Sequence, residues 1–171
     1  MFFGIAKHNS NGGPYISKIN TSNGMLSGIY RKRNCADNET LFSPETESYF
    51  GEVANVGFGV AVCAGHSVPT EFVAISNAGA AIVFHPSVPG LYGDRKTDDA
   101  SLQSGFDWWR TSCIDIDTKR AKELGIYIAV CTQAGSTVDE GFLGWSVLFG
   151  SDGEIIAELP NWRQGNLIIE I

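Results

Sequence analysis

Cys63 ends the apolar, small-residue run Val56-Gly-Phe-Gly-Val-Ala-Val62, and Ala64-Gly65 then lead towards Pro69-Thr-Glu-Phe72. A strand that stops at a small-residue turn and restarts as a helix holds its last side chain up at the sheet edge. It also aims the next backbone N–H groups at whatever that side chain attacks. A thiol so placed is a candidate nucleophile, although cysteine is often a small buried apolar residue, and position alone leaves both readings open. Two upstream residues bear on the choice: Lys32, at the end of Tyr30-Arg-Lys32, and Glu39, in the polar stretch after it. An ammonium beside a thiol stabilises the thiolate, and it can also stabilise the oxyanion formed when sulfur attacks a carbonyl or nitrile carbon. A carboxylate beside the lysine would hold it in place and keep it charged. Singly, such a lysine or glutamate usually belongs to the solvated surface. His66, three residues after Cys63, and His85 leave open a Cys–His design with imidazole as base.

These residues must be positioned by strands and helices that the sequence marks. Short apolar strands are expected at Phe2–Ala6, Pro14–Asn20 and Met25–Tyr30, the last two flanking a Thr21-Ser-Asn-Gly24 hairpin turn. Residues 34–52 read as polar loop. The strand to Cys63 follows, then a helix from Pro69 to Ala78, a buried strand at Ala80–Phe84 and a loop over His85–Gly93. One long helix is expected from about Asp98 to Glu123, because Leu102, Phe106, Trp109, Cys113 and Ile116 fall on one face. That makes Cys113 a core residue, and the strand Ile126–Cys131 makes Cys131 structural as well. A hairpin pairing Gly144–Phe149 with Glu154–Leu159, and a final strand Asn166–Ile171, complete an α/β pattern with a mixed sheet. Residues 1–171 read as one domain.

Composition narrows the function. The 171 residues are 43% apolar with mean hydropathy near zero, and no run approaches the roughly eighteen apolar residues of a membrane span. The first residues, MFFGIAKHNS, have neither a basic region nor a cleavage site of the secretory type, which predicts a cytoplasmic protein. The four cysteines and three histidines lack metal-ligand or redox spacing, so four thiols and no metal are expected. Residues 1–36 hold five basic and no acidic side chains, whereas the remainder holds seven basic and nineteen acidic. A net charge of −7 without a basic stripe argues against nucleic acid as partner.

Taken together, the motifs resemble the nitrilase-like carbon–nitrogen hydrolase superfamily. Tyr30-Arg-Lys32 is similar to its lysine motif, Glu39 to its additional loop glutamate, and Cys63-Ala-Gly-His-Ser-Val-Pro69-Thr-Glu71 to its nucleophile motif. Gly79–Pro86, Arg120-Ala-Lys-Glu123, Gly141–Ser146 and Gly153–Ala157 match later family segments in the same order, so the likeness runs from about residue 2 to 171.

The resemblance implies a four-layer αββα sandwich. It also implies cofactor-free hydrolysis of an amide, carbamoyl or nitrile carbon–nitrogen bond through a cysteine thioester. Cys63 would be the nucleophile, Lys32 would stabilise thiolate and oxyanion, Glu39 would orient the lysine, and the Ala64 N–H would contribute to the oxyanion hole. Two departures stand out. Gly65 occupies the place of a usual acidic residue, and no Asp or Glu precedes Asp37, so the family's general-base glutamate has no counterpart before Lys32. The resemblance therefore implies a sandwich incomplete at its N-terminus, whose partners are a small amide or nitrile and either further copies of itself or a complementing N-terminal segment. The alternative is a non-catalytic remnant or partner subunit of a split hydrolase. His85–Gly90 and Gly135–Asp139 are the segments expected to line a pocket.

Overall fold

The computed structural model describes residues 2–22, 24–37, 39–89, 98–137, 141–159 and 164–171. These fall into two compact units, residues 1–83 and 84–171. The expected mixture of α and β elements is present in both.

In the first unit, β1 (Phe2–Lys7), β2 (Tyr15–Ser22) and β3 (Met25–Arg31) form an antiparallel sheet in chain order. The hairpin expected around residues 21–24 is there, with β2 and β3 paired from Ser17↔Arg31 to Ser22↔Met25; its Asn23 lies outside the described residues. The expected 34–52 loop ends earlier than the polar composition suggests. Tyr49–Val53 is a strand (β4) that pairs with β5 (Val56–Val60). The two residues between them, Ala54 and Asn55, have φ of 52° and 63°, the consecutive left-handed pair of a tight hairpin turn. Polar content concealed this strand, because only its alternate residues are half-buried.

Gly57–Val60 of β5 are buried, and a Cβ on Gly59 would overlap the Ile75 side chain of α1 (Pro69–Asn77). Helix and strand therefore approach to backbone distance, with Phe72 and Ile75 fully buried. That contact sets the height at which the intervening turn, Cys63–Ser67, stands over the strand end.

In sequence β6 (Ile82–Ser87) spans the boundary between the units, and the expected loop from His85 begins only after it. His85 and Ser87 alternate with half-buried neighbours and are themselves buried. The expected single helix over 98–123 is broken into α2 (Asp99–Cys113), a π-helical turn (Ile114–Thr118) and α3 (Lys119–Leu124). Trp109 and Cys113 are buried as expected, but the wider π turn carries Ile116 off the buried face and puts Asp117 there, followed by Arg120 and Ala121.

In the second unit β10 (Ser146–Phe149) pairs antiparallel with both β7 (Tyr127–Thr132) and β11 (Ile155–Leu159). Short strands β8 (Ala134–Ser136) and β9 (Gly141–Leu143) form a separate hairpin, so the first part of the expected 135–139 lining loop is strand; Val138 and Asp139 lie outside the described residues, as does Gly90. Cys131 is exposed and not structural, because β7 buries only Ile128 and Val130 of its central residues. Asn166–Ile171 is not a strand. Among the described residues, no helix is long and apolar enough to cross a membrane.

Candidate active site

Lys32 continues the hydrogen bonding of β3 by one residue. Its N–H donates to Ile16 O at 2.8 Å, and its carbonyl accepts from Glu45 N–H at 3.0 Å. The neighbouring arginines pin the chain on either side. Arg31 pairs with Glu45 at 2.8 Å and stacks over Tyr15, while Arg33 donates to Ser48 Oγ at 2.6 Å. With its backbone so fixed, Lys32 is 1% exposed, and its ammonium donates to Glu39 Oε1 at 2.7 Å and Oε2 at 2.6 Å.

Glu39 is aimed back at the lysine by a tight turn. Its N–H donates to Ala36 O at 2.9 Å, and its Oε2 accepts from Ala36 N–H at 2.6 Å. A buried ammonium is tolerable only when paired and hydrogen-bonded, so this lysine is no solvated decoration. Cys35 lies in the field of the pair: burial pushes its thiol pKa up, and Glu39 adds to the rise while Lys32 opposes it.

Cys63 sits where the extended chain breaks. Val62 is still extended (φ −94°, ψ 125°), and Cys63 itself has φ of 50°. A non-glycine residue held in the left-handed region costs about 1–2 kcal/mol. The turn that enforces it is closed by Gly65 N–H to Val62 O at 3.0 Å and by Ser67 Oγ to Ala64 O at 2.9 Å. The first N–H to reach back inside the turn is that of Gly65, so the Ala64 N–H precedes the turn's own hydrogen bonding. His66 Nδ1 lies 3.2 Å from Cys63 O; because a carbonyl can only accept, Nδ1 carries the proton there.

The turn is tied to the lysine strand through Tyr30, whose Oη accepts the Val62 N–H at 3.3 Å. Burial, with the charge of Glu71 adding to it, pushes the Tyr30 hydroxyl pKa far up, so the phenol stays neutral. A second tie runs from Asn34 Nδ2 to Oε2 of Glu71 at 2.5 Å. Glu71 is in the first turn of α1 and fully buried. A Cβ on Gly65 would lie 2.9 Å from that same oxygen, which gives the Gly65 departure a steric basis: the Glu71 carboxylate fills the space.

Of the residues singled out in the sequence, Lys32 and Glu39 are therefore in direct contact, and Cys63 and Ala64 share one turn joined to their strand by Tyr30. Asn34 escaped the sequence reading, since its partner is 37 residues away and no local pattern marks it. His85 belongs to a different cluster. Its Nδ1 is 3.5 Å from Asp117 Oδ2, and Arg120 Nη1 is 3.9 Å from Asp117 Oδ1, with His85 and Asp117 fully buried.

The carbon–nitrogen hydrolase family matches over residues 1–171, and the chain belongs to that family. No curated protein sequence matches it. Among solved structures, a carbon–nitrogen hydrolase from Helicobacter pylori superposes with a TM-score of 0.77 at 19% identity, covering 92% of this chain and 56% of that one. A glutamine-dependent NAD+ synthetase from Acinetobacter baumannii gives a TM-score of 0.77 at 19% identity, over 96% of this chain and 30% of the other. An amidase from a Nesterenkonia species, carrying the acetamide moiety of fluoroacetamide on its active-site cysteine, gives 0.72 at 20% identity, over 93% and 56%. The fold is that of the nitrilase superfamily, and the chain spans between about a third and somewhat over half the length of these structures.

Proposed function

We propose that residues 1–171 form one domain carrying the nucleophile and lysine side of a thiol amidohydrolase acting on a small amide, carbamoyl compound or nitrile. The observation that carries this is the buried Lys32–Glu39 pair, on a strand end hydrogen-bonded through Tyr30 to the residue before Cys63. Burying an ammonium is costly, and in this reading the cation serves the strained, half-exposed Cys63 thiol, a chemical use that packing alone lacks.

In this reading the Cys63 thiolate attacks the substrate carbon and the carbonyl π electrons move onto oxygen. The Lys32 ammonium and the Ala64 N–H stabilise that oxyanion. Collapse expels the amine, which takes up the proton that the base removed from the thiol, and leaves a thioester that water hydrolyses. Glu39 keeps the ammonium aimed.

The base that accepts the thiol proton is assigned to none of these residues: Glu39 is engaged by Lys32 and Ala36, and Glu71 by Asn34. We assign it to a carboxylate outside these 171 residues, in a complementing segment or another chain. The four free thiols suit a reducing, cytoplasmic setting.

The test has two arms. The purified chain should hydrolyse simple amides negligibly, and co-expression with a matching N-terminal segment should restore turnover that Cys63→Ala abolishes. Turnover by the chain alone that disappears in Cys63→Ala would refute the external base. Restored turnover that survives Cys63→Ala would refute the nucleophile.

A further inference from the structure

We propose that Glu71 is a positioning residue of this site, a buried carboxylate that holds the Cys63 turn and the Lys32 loop in one register. The proposal rests on the reading of Cys63 and Lys32 given above.

Two contacts and one electrostatic influence meet at this side chain. Its Oε2 accepts from Asn34 Nδ2 at 2.5 Å, and Asn34 follows Lys32 by two residues. The same oxygen closes on Gly65, two residues after Cys63, where a Cβ would lie 2.9 Å from it and force the carboxylate to shift. Its charge reaches the Tyr30 hydroxyl, which accepts the Val62 N–H. One carboxylate thus touches or polarises a residue two positions after the lysine, a residue two positions before it, and a residue two positions after the nucleophile.

A carboxylate buried in the first turn of a helix is favoured by the helix dipole, but that alone explains neither the bond to Asn34 nor the glycine. The contacts have a geometric consequence. Without them, the loop bearing Lys32 and the turn bearing Cys63 lose a tie, and the Tyr30–Val62 hydrogen bond that also joins them is a long 3.3 Å. In the reading given above, the ammonium would then favour the thiolate less, and the pH profile of Cys63 alkylation would move up.

The experiment reads the pH dependence of Cys63 alkylation by iodoacetamide in the full chain, followed on the Cys63 peptide by mass spectrometry so that Cys35 and Cys131 do not contribute. Glu71→Ala, Asn34→Ala and Gly65→Ala should each move the alkylation midpoint up by about one pH unit. Glu71→Gln, which still accepts from Asn34, should bring it most of the way back. Asn34→Ala combined with Glu71→Ala should shift no further than the larger single change, as expected of groups acting as a unit.

Lowered thermal stability with an unmoved midpoint in Asn34→Ala and Gly65→Ala would overturn the proposal and leave Glu71 a packing residue. These two variants decide the matter if Glu71→Ala fails to fold. If instead Lys32→Met leaves the parent midpoint unchanged, the lysine–thiolate reading itself fails, and that result is distinct from a failure of Glu71.

Discussion

Lys32 and Glu39 form a two-pronged contact, with Nζ 2.7 and 2.6 Å from the two carboxylate oxygens, and the two ends are unequally exposed: 2% for the lysine side chain and 23% for the glutamate. The asymmetry makes a prediction. Glu39→Ala strands a buried ammonium and should cost about 3 kcal/mol or more. Lys32→Met keeps the apolar stem and leaves a carboxylate that water can reach, so it should cost clearly less. Urea denaturation of both variants checks the order; equal losses would show that the pair is not buried in solution.

Cys63 carries backbone strain that glycine would relieve. Cys63→Gly should be more stable than Cys63→Ala by about 0.5–1 kcal/mol, the left-handed penalty less the extra freedom of glycine in the unfolded chain. Melting temperatures of the two variants test this. If alanine is equally stable, φ at this position is not held at 50° in solution.

The arginine beside the lysine gives a pH dependence of known sign. Glu45 has its carboxyl held below the usual range, first by the hydrogen bond from Arg31 and then by the Thr46 N–H. A depressed folded-state pKa contributes stability that is present above the unfolded value and lost as pH falls through the folded one. The window is roughly pH 5 to pH 3, and for a pair this exposed the amount should stay below about 1 kcal/mol. Glu45→Gln should therefore flatten the acid limb of stability slightly and leave pH 7 to 8 behaviour unchanged in shape; a steeper acid limb would contradict the assignment.

The thiols should differ in reactivity. Cys113 is fully buried, and burial, with Asp117 adding, pushes its pKa far up, so it should resist alkylation until the chain unfolds. Cys131 is exposed and should react well ahead of Cys113. Peptide-resolved labelling in native buffer reads the order directly. Rapid labelling of Cys113 would mean that α2 and the π turn open readily.

His66 offers the remaining alternative for the site. With Nδ1 bound to the Cys63 carbonyl, His66→Ala should leave the Cys63 alkylation midpoint within about 0.3 pH unit of the parent. A larger shift would revive the Cys–His design.

Much of this site was legible because its chemistry is local in type. A small-residue strand ending in cysteine, a proline-started helix after it, and a lysine closing an Asn-Gly hairpin can each be read within a few residues. The same holds for β1 to β3, α1 and the β10–β11 hairpin, whose turns or periods are written in sequence. Other elements were misread where the deciding force was not local. β4 is held by a turn of two left-handed residues that are not glycine, and the exposed Cys131 reflects a strand with one buried face where an unbroken apolar run suggested two.

The sequence by itself determined which groups are present and in what order, since hydrophobic period and turn chemistry act over neighbouring residues. Only the tertiary structure decided that Glu39 reaches Lys32 and that Glu71 fills the space beside Gly65. It also decided that Asn34 meets a helix 37 residues away and that a π turn puts Asp117 on the buried face. Those are matters of close packing and of partners for buried charge, and a charge can be buried only where the folded chain brings its partner to it.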